Sequence, residues 1–168
     1  LIFWDRRGLG TITLINKSTF ISHLGSHAIG PDALTISGPE LYVKIHHSKR
    51  HIKVALLDQK VLAGIGNIYA SEILYAAKID PRTRCNRLSK EACARIVKAC
   101  SQILYHAIEQ EGSSIGDETY RTADNRPGRY QHLHKVYGRN KYKCSKCKNE
   151  IKRVIQTQRS TFFCSHCQ

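Results

Sequence analysis

Four cysteines near the end of the chain constrain its fold more than any other feature. They read Cys144-Ser145-Lys146-Cys147, then sixteen residues, then Cys164-Ser165-His166-Cys167. Each Cys-x-x-Cys pair suits a tight turn that aims two sulfurs at one point. Two such turns close a tetrahedron around a single zinc ion. Thiolates then fill every coordination position, so the ion is structural and not catalytic. The other readings of this pattern are two disulfides or four buried thiols. Disulfides belong to secreted chains, and no secretory signal is legible in the sequence. Of the other three cysteines, Cys93 and Cys100 read as small apolar residues on a helix, and neither they nor Cys85 is given a catalytic role.

The residues around the cysteines are basic. From Lys135 to the end, nine lysines and arginines face one acid, Glu150. The whole chain carries a formal charge of +14 and a sequence pI near 9.7. A surplus of this size points to a polyanionic partner. Hydrophobic residues make up 41% of the chain, which supports a packed core and argues against a disordered basic tail. No apolar run is long enough to span a membrane. Leu1 stands inside an apolar run and the chain contains no methionine, so an N-terminal part of the protein is expected to precede it.

Hydropathy patterning gives a mostly α fold with a small β zinc finger. Residues 1–15 read as a strand, a charged glycine turn and a second strand, the trailing hairpin of a sheet. Short helices are expected around 18–25 and 39–47. Residues 50–63 read as a helix with Ile52, Leu56, Leu57 and Val61 on one side. Gly64-Ile65-Gly66 breaks it, and Asn67 is expected to cap a new helix, Ile68 to Lys78. Ser89 caps the longest helix, whose apolar stripe includes Ala92, Ile96, Cys100, Leu104, Ala107 and Ile108, and Gly112 ends it. Residues 113–134 form a long loop of functional character. Strands around 152–155 and 160–163 suit a β-hairpin between the cysteine pairs. The domains are therefore 1–15, 16–134 and 135–168.

Gly64-Ile65-Gly66 follows no strand and lacks the third glycine of a dinucleotide loop. It is read as a tight interhelical turn that brings a helix N-terminus up to a phosphate, or as plain capping. Lys49, Arg50 and Lys53 lie one helix earlier and can add charge to the same groove.

The run from Lys53 to Glu72 (KVALLDQKVLAGIGNIYASE), Val136-Tyr137-Gly138-Arg139, the four cysteines and Gln158-Arg159-Ser160-Thr161-Phe162-Phe163 together resemble the C-terminal portion of bacterial formamidopyrimidine-DNA glycosylases. The resemblance implies the trailing strands of an N-terminal β-sandwich, a helix–two-turn–helix domain and a C-terminal zinc finger. It implies a parent enzyme of base-excision repair that excises oxidised purines, 8-oxoguanine and formamidopyrimidines, and then cleaves the abasic strand. The family's nucleophile is an N-terminal proline beside a glutamate. Leu1 and Ile2 supply neither, so this stretch alone is expected to be inactive.

By the same resemblance, Arg7 reads the cytosine left by the flipped base and Leu9 fills the gap, where the family usually has phenylalanine. Lys53, Asn67 and Lys49 contact phosphates flanking the lesion. Arg159 grips the lesion-side phosphates and serves the second elimination, the one catalytic residue carried over. Cys144, Cys147, Cys164 and Cys167 hold one Zn2+. Loop 113–134 caps the lesion. The expected partner is double-stranded DNA containing a damaged base or abasic site, bound by a monomer in the bacterial cytoplasm, at the nucleoid. Two alternatives stay open: an endonuclease VIII-like glycosylase for oxidised pyrimidines, and a non-catalytic zinc-ribbon module. Chelating the metal is expected to abolish binding of the chain to duplex DNA, as read by fluorescence anisotropy. The loaded chain should lose affinity with a slope of about −0.9 in log K against log salt for each phosphate neutralised; an affinity indifferent to the chelator would contradict this.

Overall fold

The computed structural model describes residues 10–24, 29–116 and 120–168. Among them are five α-helices: α1 (Lys17–Leu24), α2 (Gly38–Ile45), α3 (Ile52–Leu56), α4 (Asn67–Ala76) and α5 (Lys90–Glu109). Two antiparallel strands follow, β1 (Lys152–Gln156) and β2 (Arg159–Phe163). The first arm of the expected N-terminal hairpin lies outside the described residues. Its second arm, 11–15, is not a strand: Ile12 is 60% and Leu14 100% exposed. A hairpin arm gains little without a further layer to bury its apolar face.

The long helix α5 organises the core. Ser89 accepts a hydrogen bond from the Ala92 amide and so caps its start. Ala92, Ile96, Cys100, Leu104 and Ala107 are buried as the period requires. Ile108 departs from the expectation. It is 62% exposed, because the helix turns that position outward just before it ends. The end is a Schellman closure, with Gly112 N–H bonded to Ala107 O at 2.8 Å and Glu111 N–H to Ile108 O at 2.9 Å. Glu111, not the glycine, takes the first left-handed position, at φ 57°.

α2 and α4 both pack against α5, and α4 also packs against α3 and β2. Ser37 and Glu40 form a reciprocal capping box at the start of α2. A Cβ on Gly38 would lie 2.9 Å from the Ala94 Cα of α5, so the glycine permits this close crossing.

The helix expected over 50–63 is much shorter, Ile52–Leu56. Asp58 stops it. Its carboxylate accepts from Lys60 N–H at 3.0 Å and pairs with Arg50 at 2.8 Å, which favours a turn over further helix. Residues 57–66 then make two turns, one closed by Val61 N–H on Asp58 O at 2.8 Å and one at Gly64, φ 96°. This is the helix–two-turn–helix unit. Gln59 braces it: its side chain accepts from Gly64 N–H at 2.9 Å and donates to Ile65 O at 3.1 Å.

β1 and β2 form the expected hairpin, with Lys152 opposite Phe163 and Gln156 opposite Arg159. Thr157 and Gln158 both have positive φ, 45° and 62°, the mirror-image turn that matches strand twist. Ile96→Ala should cost about 2–5 kcal/mol in denaturant unfolding, whereas Ile108→Ala should stay within about 0.5 kcal/mol. Equal effects would contradict this placement of the stripe.

Candidate nucleic-acid interface and metal centre

Lys53 lies on α3 and is only 1% exposed. Its ammonium donates to three acceptors: Asn67 Oδ1 at 2.7 Å, Ser160 O at 2.8 Å and Thr161 Oγ1 at 2.9 Å. All three of its hydrogens are thus taken by protein. Lys53, for which a phosphate contact is expected from the sequence, bolts α3, α4 and β2 together here. Burial, helped by the nearby Arg159 charge, pushes its pKa down to about 8.

The bolt continues into the finger. Thr161 Oγ1 donates to Gln156 Oε1 at 3.0 Å, and Gln156 Nε2 reaches His51 Nδ1 at 3.0 Å. The expected cap is also corrected. Gly66 is the N-cap of α4 and Asn67 its first helical residue, with no side chain capping the helix. The Asn67 carbonyl could not cap, because Lys53 has captured it. The first amides of a helix have no acceptor inside it. A Cβ added at Gly66 would meet nothing within 4 Å, so the N-cap position itself is unobstructed. Asn67 Nδ2 has no protein acceptor among the described residues. Arg159 starts β2 and is exposed, and its guanidinium has no hydrogen-bond or ion-pair partner among them. Lys49 is exposed on the link between α2 and α3, without a bond to this cluster. Arg7 and Leu9 lie outside the described residues.

The four cysteine sulfurs all lie within 4.8 Å of one another. Cys144 Sγ is 3.9 Å from Cys167 Sγ, and Cys147 Sγ is 3.4 Å from Cys164 Sγ. Zinc–sulfur bonds of about 2.3 Å in a tetrahedron put sulfurs about 3.8 Å apart, so the cage fits that ion. The finger is fixed to the helical part by groups the sequence did not flag. The Glu72 carboxylate, 2% exposed, accepts from the amides of Lys135, Val136 and Tyr137 at 2.8 to 2.9 Å. Gln168 Nε2 donates to Ile79 O at 3.0 Å, and the Arg82 guanidinium sits 4.6 Å from the Phe163 ring centre. These contacts join segments far apart in sequence, so no spacing announces them.

Loop 113–134 is tied at its neck. Tyr130 N–H bonds Gly112 O at 2.9 Å and Gly128 N–H bonds Ser114 Oγ at 3.0 Å. A cavity of about 410 Å³ opens beside it, bounded by Tyr69, Gly64, Leu104, Gly112 and Tyr120. His134, 7% exposed and bonded to Ser113 Oγ at 3.0 Å, is pushed down to about 4 by burial and is neutral near pH 7.

A helix–two-turn–helix unit is thus bolted to a four-thiolate finger, with donors gathered where the two meet. The family model "Formamidopyrimidine-DNA glycosylase H2TH domain" matches residues 28–119, and "Zinc finger found in FPG and IleRS" matches residues 143–168. The chain belongs to the formamidopyrimidine-DNA glycosylase family, and its finger holds one structural zinc. It is 41% identical over 168 residues to the formamidopyrimidine-DNA glycosylase of Solibacter usitatus, covering 100% of this chain and 61% of that protein. Against the enzyme of Carboxydothermus hydrogenoformans it is 44% identical over 142 residues, covering 83% of this chain and 53% of that one. The solved complex of Lactococcus lactis Fpg with DNA containing an abasic site superposes with a TM-score of 0.86 at 34% identity, covering 98% of this chain and 60% of that chain. The chain thus spans between half and two thirds of the length of these relatives.

Lys53 also gives a pH signature. Its ordinary value is 10.5, and it is about 8 in the fold. Between those values the unfolded chain holds a proton that the folded chain has released. The contribution of this group to stability therefore rises with pH from about 8 to 10.5. Denaturant unfolding should show this rise in the wild type and a flatter profile in Lys53→Met. Parallel profiles would mean that Lys53 titrates normally.

Proposed function

We propose that these residues are the DNA-gripping part of a bifunctional DNA glycosylase and abasic-site lyase that removes oxidised purines, 8-oxoguanine and formamidopyrimidine, from double-stranded DNA. The observation that carries this reading is the convergence of three unused donors around Lys53: Asn67 Nδ2, the first amides of α4, and the Arg159 guanidinium. Phosphate oxygens flanking a lesion satisfy all three. A helix N-terminus favours an anion through its dipole, and arginine grips phosphate with a planar fork. Lys53 acts through Asn67. By occupying Oδ1 it leaves only the amide donor facing outward, and its charge adds to the field there.

Arg159, free on the rigid hairpin, stabilises the phosphate that leaves in the second elimination. Arg7 and Leu9 fill the helix where the base is extruded, a step costing a few kcal/mol. Loop 113–134 closes over the extruded base. Lys49 adds a peripheral phosphate contact. The names of the relatives, and the abasic-site DNA bound by the Lactococcus lactis protein, support this reading. The enzyme works as a monomer at the bacterial nucleoid.

Binding to an abasic-site duplex tests it. Asn67→Ala and Arg159→Ala should each weaken binding by roughly 10-fold or more, as for a charge-assisted hydrogen bond of about 1.5–3 kcal/mol. Arg159→Ala should also reduce the salt slope by about 1. In the whole protein it should lower strand cleavage while leaving the melting temperature unchanged. Unaltered affinity in both variants would rule out this grip.

A further inference from the structure

The last turn of α4 sends Tyr75 out of the helical domain and into the cysteine cage. The residue is 2% exposed, and its hydroxyl oxygen lies 3.1 Å from Cys144 Sγ. A metal-bound thiolate carries no proton, so the hydroxyl donates and the sulfur accepts. Cys144 is fully buried. The amides of Lys146 and Cys147 also point at its sulfur. Other donors to the cage belong to the finger itself: Asn149 Nδ2 to Cys147 Sγ at 3.5 Å, the Asn149 amide toward the same sulfur, and the amides of His166 and Cys167 toward Cys164. Among the described residues, Tyr75 is the donor that arrives from the helical part.

Four thiolates around a divalent ion carry a net charge of −2, and here two of the four sulfurs are fully buried. Donors at the sulfurs spread that charge and hold the ligands in place. Lys146 strengthens the arrangement. Its ammonium stands 4.9 Å from the Tyr75 ring centre, on the ring face. A cation there draws electron density from the ring and makes the hydroxyl a better donor. Tyr75 also packs with Val136, Ile151 and Phe162, so its ring is a member of the finger's own small core.

We propose that Tyr75 is a positioning residue for the zinc: its hydroxyl holds the Cys144 thiolate, and through it the helical domain sets how tightly the finger keeps its metal. The proposal rests on the zinc assignment and goes beyond the DNA-binding reading, which does not involve this hydroxyl. The consequence is that zinc retention depends on docking of the finger against α4 and not on the four cysteines alone.

Competition with a chromogenic chelator on the 168-residue chain measures the effect. Tyr75→Phe keeps the ring and loses the hydroxyl; it should weaken zinc binding by about 10- to 100-fold. Tyr142→Phe, which alters an exposed tyrosine of the same module, should bind as the wild type does. Cobalt substitution separates a bond to sulfur from mere packing. Losing the donor leaves the thiolate more electron-rich, so the sulfur-to-cobalt charge-transfer band should move to lower energy in Tyr75→Phe. Zinc affinity equal to wild type, or a band that stays in place, would overturn the proposal. Should Tyr75→Phe not fold, 3-fluorotyrosine at position 75 gives the converse reading: a more acidic hydroxyl should move the band to higher energy, and an unmoved band again overturns it. A wild-type chain that takes up no zinc would remove the metal centre itself, a different failure from an unshifted variant.

Discussion

A lysine ammonium held out of water joins the three structural pieces of this protein. Desolvating a charge costs several kcal/mol unless the site returns hydrogen bonds of good geometry. Lys53 offsets part of that cost with acceptors 14, 107 and 108 residues away. Each acceptor belongs to a different piece of local structure or a different atom type: a helix-start carboxamide, a strand carbonyl and a strand hydroxyl. The lysine is therefore satisfied only when α4 and β2 are both seated. Removing any one acceptor leaves a buried donor without a partner, so helix start and hairpin are coupled through a single group. That coupling fixes where Asn67, at the start of α4, and Arg159, next to Ser160 at the start of β2, stand relative to each other.

The finger shows why such coupling is needed. A module of this size is too small to bury a sufficient core alone, and below about 40 residues a metal or another staple usually supplies the deficit. Here the zinc cage supplies much of it, and the helical domain lends the rest. Tyr75 enters the finger's core, Glu72 collects three successive amides at its entrance, and Gln168 closes its end against Ile79. A carboxylate bonded to three amides is a buried charge made tolerable by the chain it organises. The result is a finger with a fixed bearing on α4.

Different elements were legible to different degrees, for physical reasons. The α5 stripe could be read because a long amphipathic helix repeats its burial every turn, and the serine at its start caps it locally. Ile108 broke the pattern only at the end, where the helix closes. The helix at 50–63 was overread because an apolar period continued through Asp58, whose carboxylate prefers the turn. Asn67 looked like a cap because asparagine is a good one; its carbonyl was instead taken by a lysine from another helix. The hairpin position was readable from its β-branched and aromatic residues. Its Thr157–Gln158 turn was not, since neither residue favours positive φ.

The cysteine spacing, the basic surplus and the helical stripe are properties of neighbouring residues. Sequence alone therefore settled the metal site and the main helix. Which polar groups are spent inside the protein and which remain free for a ligand depends on closure of the whole chain. Lys53 was indistinguishable in sequence from an exposed phosphate contact. Only the meeting of α3, α4 and β2 buried its charge, used all its hydrogens, and left Asn67 and Arg159 as the donors that face outward.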